Sequence, residues 1–417
     1  MNELAEIADA STLPLEKIDV SDARLYEQDA WRPYFARLRA EDPVHFQANS
    51  PFGPFWSITR FEDIVAVDSN HKVFSSEPTV IIGDLCGDLP VEQFISMDPP
   101  RHDVQRRAVQ PVVAPRNLAE MESLIRSRVV EILEQLPMGE TFNWVEHVSI
   151  NLTTQMLATL FDFPFEDRAK LTYWSDLAGA TPELTGGDAN PQIRLEAMHD
   201  CLATFTELWH QRKAQGNPAA MDLISLLQRD PNTADMVDRP MEYLGNIALL
   251  IIGGNDTTRN SASGGVLALN QNPEEYDKLR ANSSLIPAMV SEIIRWQTPL
   301  MHMRRTAKSD IEFRGKRINK GDKVVMWYLS GNRDESVIEN ADKFIIDRKN
   351  PRHHMSFGFG LHRCMGNRLV EMQIRVLWEE IMQRFHMVKV VGEPVRVKSN
   401  FVRGYSNLPV QVLPLKH

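Results

Sequence analysis

The apolar residues of this chain recur mainly with helical spacing. In five stretches they fall at i, i+3, i+4 and i+7, which places side chains on one face of a helix. These stretches are residues 117–178, 191–215, 240–270, 285–297 and 367–385. A break containing Gly186 and Gly187 separates the first two, and Pro299 is expected to end the fourth. The pattern predicts a mainly helical protein.

Strand-like patterns are shorter and fewer. Residues 55–59 are predicted to form a strand leading into a helix, and further strand signals occur at 303–313 and 323–328. Residues 388–417 are Val-rich, punctuated by proline and expected to be extended. The fold class predicted is therefore mainly α with a minor β portion. Because no linker separates parts of the chain, residues 1–417 are expected to form one domain, with 1–20 as a flexible N-terminal extension.

Composition narrows the class of protein. The 417 residues are 43% apolar and 24% charged, which is ordinary for a globular protein with a large core. A net charge of −10 argues against nucleic acid as the main partner. The cysteines Cys86, Cys201 and Cys364 are far apart and form no CxxC pair. That spacing argues against a disulfide framework or a structural zinc site and fits a reducing cytoplasm.

Membrane and export signals are also missing from the sequence. No segment approaches the roughly 18 consecutive apolar residues that a membrane span needs. The acidic start, Met1 to Glu6, has neither the basic region nor the apolar stretch of a signal peptide. We expect no membrane span and a cytoplasmic location.

The most informative stretch is 357–366, Phe-Gly-Phe-Gly-Leu-His-Arg-Cys-Met-Gly, with three glycines and one thiol. Glycine at this density suits a tight loop whose backbone approaches something flat and bulky. The helix predicted from Asn367 would place Cys364 just before a helix N-terminus, where free N–H groups favour the thiolate. Taken alone, the stretch also fits a buried cysteine beside a Gly-rich turn.

The same stretch resembles the heme-binding signature of the cytochromes P450, Phe-Gly-x-Gly-x-His/Arg-x-Cys-x-Gly, at every fixed position. Three further motifs occur in the family's order, so the resemblance covers nearly the whole chain. It implies the single-domain P450 fold, a triangular helical prism with small sheets, and heme b as the cofactor. It also implies Cys364 as the iron ligand, since the thiolate of this enzyme class promotes O–O cleavage.

Glu292 and Arg295 are one turn apart on one face of a predicted helix. In isolation such a pair is a common surface accident, although the apolar residues around it allow burial. The resemblance implies the family's Glu-x-x-Arg pair, joined by Arg348 in a buried network that supports the cysteine loop. We expect a structural role, because removing one partner would leave a buried charge uncompensated at a cost on the order of 3–5 kcal/mol.

Residues 253–258, Gly-Gly-Asn-Asp-Thr-Thr, interrupt a good helix, although each mid-helix glycine costs about 1 kcal/mol against alanine. A helix end capped by Asp and Thr is one explanation. The spacing continues beyond it and favours a kinked or locally widened helix. The segment resembles the family's motif in the helix over the heme. The resemblance implies Gly253 beside the heme, and Asp256 and Thr257 as a catalytic acid–alcohol pair supplying protons.

His102 and Arg106, at i and i+4, predict by themselves only a solvated first turn after two prolines. The family uses His-x-x-x-Arg here to bind the heme propionates, which need cationic or hydrogen-bonding partners when buried. Motif position implies Arg305 and His362 as further partners, with Arg304 left as the alternative to Arg305. The implied heme-binding set is His102, Arg106, Gly253, Arg305, Phe357, Gly358, His362, Cys364 and Gly366.

The resemblance implies a monooxygenase, which places one atom of O2 in a C–H bond and reduces the other to water. No region resembles a flavin or nicotinamide domain, so a ferredoxin and a ferredoxin reductase are expected to supply electrons to a monomer. They are expected to dock on a basic face near Cys364 formed by Arg352, His353, Arg363 and Arg368. The retained pair Asp256 and Thr257 argues against a peroxide-driven enzyme.

Three segments, 94–100, 299–305 and 356–360, resemble bacterial alkane and fatty-acid terminal hydroxylases. They imply hydroxylation of the terminal methyl group of medium-chain alkanes or fatty acids. Because a primary C–H bond is stronger than its secondary neighbours, such selectivity requires a narrow apolar channel that positions the chain end. Its expected walls are Val80, Ile81, Ile82, Leu85, Leu249, Leu250, Leu300 and Met301.

Three alternatives stay open from the sequence. A P450 hydroxylase of compact terpenes or steroids would carry the same motifs. A heme-based sensor or carrier would need the thiolate but no acid–alcohol pair. A hydrolase with a cysteine nucleophile would need a histidine base for Cys364 and has no use for Glu292 and Arg295.

Overall fold

Helices dominate the chain, as the apolar spacing predicts. The computed structural model describes residues 7–84, 90–179, 181–185 and 190–415. Its helices are α1 Arg24–Glu27, α2 Arg32–Glu41, α3 Phe61–Asp68, α4 Arg101–Val109, α5 Pro115–Glu134, α6 Asn151–Phe161, α7 Ala169–Gly179, α8 Pro182–Thr185, α9 Pro191–Gln215, α10 Leu223–Arg229, α11 Pro240–Gln271, α12 Pro273–Ala281, α13 Ile286–Gln297, α14 Tyr328–Gly331 and α15 Asn367–Arg384.

The strands are short, with two to six residues each. They are β1 Val44–Gln47, β2 Phe55–Ile58, β3 Phe74–Ser75, β4 Phe142–Asn143, β5 Met303–Ala307, β6 Ile311–Phe313, β7 Lys316–Ile318, β8 Lys323–Met326, β9 Phe385–Val390, β10 Val395–Arg396, β11 Tyr405–Asn407 and β12 Pro409–Pro414. The largest sheet has the order β1-β2-β8-β5-β3, and only β2 and β8 pair in parallel. A second sheet has the order β4-β12-β9, and two hairpins complete the set.

Local chemistry sets the ends of the long helices. Helices α5, α9, α11 and α12 each begin on a proline, whose missing N–H costs nothing at that position. Asn190 caps α9 by accepting hydrogen bonds from the backbone N–H groups of Gln192 and Ile193. Helix α13 ends at Gln297, and Thr298 follows it in a left-handed conformation with φ 41°, directly before Pro299.

The main core lies between α4 to α7, α9 to α13, α15 and the second sheet, with α11 packed against many of these elements. Helix α11 is one continuous helix of 32 residues. The alternative that it ends near Gly253 is therefore wrong. The predicted local widening is not seen there either, and a π-helical turn lies instead at Val145–Ile150.

The expected flexible extension at the N-terminus needs correction for the residues described. Ala10, Ile18 and Val20 are buried in a second core with α2, β8 and the segment around Phe401. The guanidinium of Arg37 donates to the carbonyl oxygens of Ala10 and Leu13. Residues 7–20 are thus packed on the body of the protein because their apolar side chains fill part of this core.

Candidate active site

A cavity of about 340 Å³ lies between the middle of α11 and the start of α15. The loop 357–366 forms one wall, with Cys364 facing the cavity, and Gly253, Gly254 and Thr257 of α11 form another. Aliphatic side chains from many separate parts of the chain cover most of the remaining surface. The space therefore has the Cys364 thiol on one side and a mostly apolar lining around it.

The loop carrying Cys364 is held by its own backbone. Gly358 and Gly360 have φ angles of 65° and 62°, which a residue with a side chain rarely adopts. The N–H of Cys364 donates to the carbonyl oxygen of Phe357 at 2.8 Å. A Cβ atom on Gly360 would lie 2.7 Å from the carbonyl oxygen of Asp68, so the loop packs directly on the end of α3.

Cys364 precedes α15 as predicted, and the expected preference for the thiolate stays a prediction. Burial raises the pKa of the Cys364 thiol. The N–H groups of Gly366 and Asn367 and the charges of Arg106 and Arg363 oppose this rise in pKa without overcoming it. A metal ion bound at the sulfur would supply the missing compensation, because a coordinating thiol is deprotonated outright.

Glu292, Arg295 and Arg348 form the predicted network. The carboxylate of Glu292 is fully buried and accepts from Nε and Nη2 of Arg295, both at 2.7 Å. It also accepts from Nε of Arg348 at 2.9 Å and from the N–H of Ile345 at 2.8 Å. Each lone pair of this carboxylate thus has a donor, which offsets the cost of burying the charges.

Asn332, which the sequence analysis missed, links that network to the cysteine loop. The backbone carbonyl oxygen of Asn332 accepts from Arg295 Nη1 at 2.7 Å. Its side chain donates to the hydroxyl oxygen of Ser356 and accepts from the N–H of Met355, both at 2.8 Å. The ion pair in α13 therefore fixes the residues that lead into Phe357.

Polar groups without protein partners collect on one side of the cavity. The rings of His102 and His362 lie 4.3 Å apart. In the part of the chain that the structure describes, Nε2 of His102 and both ring nitrogens of His362 are buried without a hydrogen-bond partner. Burial, reinforced by Arg305, lowers the pKa of His362 to about 2, and burial also lowers the pKa of His102. The neutral ring of His362 can donate to an anion. Nδ1 of His102 lies 2.8 Å from Oδ1 of Asp103, so Nε2 of His102 donates to an anion only when the ring is protonated.

The choice between Arg304 and Arg305 follows from strand alternation in β5. Arg305 lines the cavity, whereas Arg304 points to the other side and donates to Asp84 at 2.7 Å. Arg106 lines the cavity as well and donates to the carbonyl oxygen of Arg363 at 2.6 Å. Two guanidinium groups and two neutral histidines thus face one region.

The apolar walls agree with the sequence analysis at five of the eight predicted positions. The residues that line the cavity are Val80, Ile81, Leu249, Leu250 and Leu300. Ile82 and Met301 were wrong, because both side chains pack into the second core. Leu85 lies outside the described residues. Sequence analysis missed Phe401 and Val402, which reach the cavity from the C-terminal region.

A family model described as Cytochrome P450 matches residues 192–410. Linalool 8-monooxygenase of Pseudomonas putida is 34% identical to this chain over 96% of it and all of the relative. The methyl-branched lipid omega-hydroxylase of Mycobacterium tuberculosis is 32% identical, over 95% and 96% of the two chains. Cytochrome P450-153 from Novosphingobium aromaticivorans has a similar structure, with a TM-score of 0.88, 43% identity and coverage of 95% and 99%.

The chain belongs to the cytochrome P450 family. It is a monooxygenase that binds heme b, as the sequence motifs predicted, and its fold is that of the solved P450 structures. A P450 uses O2 and electrons from redox partners. Within the described ranges, none of the helices has the length and apolar character needed to cross a membrane.

The residues present in this P450 fit heme b. Cys364 provides a thiol facing the cavity, and the described residues hold no group of three potential metal ligands that would suggest a different metal site. The partnerless nitrogens of His102 and His362 and the cations Arg106 and Arg305 suit two carboxylates. A Cβ atom on Gly253 or on Gly366 would meet nothing within 4 Å, so the backbone leaves open space at both.

Asp256 and Thr257 of the P450 point in different directions. Thr257 lines the cavity, and its hydroxyl donates to the carbonyl oxygen of Gly253 at 2.8 Å. Asp256 faces away and accepts from Arg259 at 2.8 Å and from Ser175 at 3.2 Å. Burial raises the pKa of the Asp256 carboxyl to about 6, with Arg259 opposing the rise and the charge of Asp176 adding to it. The acid and the alcohol are adjacent in sequence but do not contact each other.

Proposed function

We propose that this cytochrome P450 hydroxylates the terminal methyl group of medium-chain alkanes or fatty acids. The supporting observation is the aliphatic wall opposite Cys364, contributed by Val80, Ile81, Leu249, Leu250 and Leu300. An aliphatic wall can hold a linear chain with its end toward the reaction centre. Such positioning presents the terminal methyl group for reaction although its C–H bond is stronger than those of its neighbours. The relative named methyl-branched lipid omega-hydroxylase supports the same substrate class.

In this proposal the side chains hold the heme from three directions. Cys364 would ligate the iron, and His102, Arg106, Arg305 and His362 would bind the propionates. Phe357, Gly358, Gly366 and Gly253, which line the cavity, would leave room for the ring. When bound, the heme supplies the iron centre at which O2 is activated.

The proton supply is assigned to Asp256 and Thr257. The buried carboxyl of Asp256 is joined through Arg259 to Asp176, whose side chain is half exposed. A carboxyl with a pKa near 6 can take up and release protons near neutral pH. The Thr257 hydroxyl both donates and accepts, so it can hold a proton donor beside the cavity.

Replacing Thr257 with alanine is expected to reduce product formation on the order of 10²-fold while NADH consumption continues, because the cavity loses its hydroxyl relay. The missing electrons should appear as hydrogen peroxide. The measurement is the ratio of product to NADH consumed. Thr257→Ser keeps the hydroxyl and should stay coupled, and full coupling in Thr257→Ala would remove this residue from the relay.

Coupled turnover is expected to fall as the pH rises through about 6, because the donor form of Asp256 is lost above its pKa. The variant Asp256→Asn should turn over more slowly, and its pH–rate profile should lack this descending limb near pH 6. Asp176→Asn removes a charge that raises the pKa of Asp256, so the limb should move to lower pH. An unchanged limb in Asp256→Asn would assign the titration to another group.

Electron delivery is assigned to a ferredoxin that binds the surface behind the cysteine loop. A surface concavity there is lined by Arg352, Arg363, Arg368 and His354, and Phe357 lies between it and the cavity. The expected His353 is exposed nearby but does not line the concavity. Glu371 pairs with Arg352 at 3.0 Å, so Arg363 and Arg368 carry more of the attraction for an acidic partner.

An optical titration of the heme Soret band with linear alkanes, fatty acids and terpenes tests the substrate class. The proposal predicts a shift toward high spin with medium linear chains. Silence with linear chains together with a response to ring compounds would overturn it, while leaving the P450 assignment intact.

A compact terpene or steroid is the second candidate substrate. It is favoured by the relatives named linalool 8-monooxygenase and steroid C26-monooxygenase. The same titration separates the two candidates.

We further propose that residues 1–417 form a single heme domain that acts as a cytoplasmic monomer.

A further inference from the structure

The carboxylate of Asp68 lies where three separate parts of the chain meet. Asp68 is the last residue of α3, and its side chain is 1% exposed. Its Oδ1 accepts from Nη2 of Arg305 in β5 at 2.7 Å. Its Oδ2 accepts from the hydroxyl of Tyr328 and from the N–H of Phe359 in the cysteine loop, both at 2.8 Å. One buried anion therefore connects β5, α14 and the loop of Cys364.

The pairing controls the orientation of Arg305. The guanidinium is 3% exposed, and its other hydrogen bond, from Nη1, goes to the backbone oxygen of Arg304. The carboxylate both compensates the buried positive charge and fixes the plane of the group that lines the cavity.

The second contact couples that orientation to the cysteine loop. The N–H of Phe359 lies between the two glycines with positive φ, and Gly360 packs against the backbone of Asp68. A displacement of α3 would therefore move Arg305 and the loop together. No sequence motif indicates this link, since Asp68 lies 237 residues before Arg305.

We propose that Asp68 is a positioning residue for the heme, acting through Arg305 and through the loop of Cys364. It sets the net charge beside the propionate-binding groups. It also fixes the position of the Arg305 guanidinium relative to the sulfur of Cys364. The proposal rests on the heme site alone and is independent of the substrate class.

Asp68→Asn tests the charge at nearly constant shape. The amide oxygen can still accept from Tyr328 and Phe359, but Arg305 loses its anion. The added net positive charge favours the reduced heme, so the reduction potential should become more positive. Transfer of heme to an excess of apomyoglobin should be about tenfold faster or more, the usual scale for outer partners of a metal site.

Asp63→Asn is the matched control. Asp63 lies on the same helix, is equally buried and pairs with Nε of Arg314 at 2.5 Å, away from the cavity. It should lower the stability of the fold while leaving both the potential and the heme transfer rate as in the unmodified protein. Equal changes in Asp63→Asn and Asp68→Asn would overturn the proposal, as would an unchanged potential in Asp68→Asn.

A double-mutant cycle of Asp68→Asn with Arg305→Gln adds a further test. The shift in potential caused by Asp68→Asn should largely disappear in the Arg305→Gln background, since the uncompensated charge is then gone. A shift of the same size in both backgrounds would show that Asp68 does not act through Arg305.

If Asp68→Asn does not fold, Asp68→Glu keeps the charge and should fold with heme. Equal failure of both, with Asp63→Asn folded, would mean a purely structural role and overturn the proposal.

Discussion

Replacing Cys364 with alanine is expected to abolish the spectrum of a thiolate-ligated heme together with all monooxygenase activity. The sulfur faces the cavity from a loop whose backbone is fixed by two glycines with positive φ and by the start of α15. No other described cysteine reaches this space. Heme added to the variant would meet the propionate partners but no thiolate. The measurement is the absorbance of the ferrous carbon monoxide complex, whose red-shifted Soret band requires the thiolate.

Cys201→Ala is the matched control for this experiment. Cys201 is buried in α9, and burial raises the pKa of its thiol, so it is an inert core residue. Its replacement should leave the red-shifted band and the activity in place. A red-shifted band that persists in Cys364→Ala, or disappears in Cys201→Ala, would contradict the assignment of the ligand.

Replacing Glu292 with glutamine is expected to destabilise the protein by about 3–5 kcal/mol and to leave most of it without heme. The carboxylate is fully buried and is the shared anion of two guanidinium groups. Without this carboxylate, the positive charges of Arg295 and Arg348 lose their buried anion. The guanidinium of Arg295 then loses the contact that orients its hydrogen bond to the backbone oxygen of Asn332. Because Asn332 holds Met355 and Ser356, the damage should extend to the cysteine loop. Urea denaturation and the ratio of heme to protein measure the two effects.

Glu275 provides a close control for that substitution. Glu275 is also a buried carboxylate, and it accepts from the N–H of Ile346. The neighbouring N–H, that of Ile345, donates to Glu292. Its cationic partner, Lys278, is exposed at the surface and can be hydrated when the charge is lost. Glu275→Gln should therefore cost about 1–3 kcal/mol and keep its heme. Equal losses in the two variants, or full heme content in Glu292→Gln, would contradict the proposed role of the network.

The helices and the cysteine loop could be predicted because their signals are local. Apolar spacing of 3.6 residues and prolines at helix ends are visible within short windows, and the loop signature needs ten residues. The pair Glu292 and Arg295 lies within one helical turn, and motif order supplied Arg348. These predictions required no knowledge of which distant segments meet.

The remaining features depend on tertiary contacts. Arg305 could be separated from Arg304 only once β5 had a defined register. Ile82 and Met301 could be excluded from the cavity wall only once the second core was known. Asp68 carries no motif, because its partners come from β5, α14 and the cysteine loop. The helix N-terminus beside Cys364 could be predicted, whereas the desolvation that raises the pKa of its thiol depends on the segments packed around it.

The position of the hydroxyl group in the product of a medium-chain linear substrate tests the central proposal most directly. The protein would be supplied with a ferredoxin, its reductase, NADH and a linear alkane, and the alcohols would be separated by gas chromatography. Presentation of the chain end by the aliphatic wall predicts the primary alcohol as the dominant product. A mixture dominated by secondary alcohols would contradict terminal presentation.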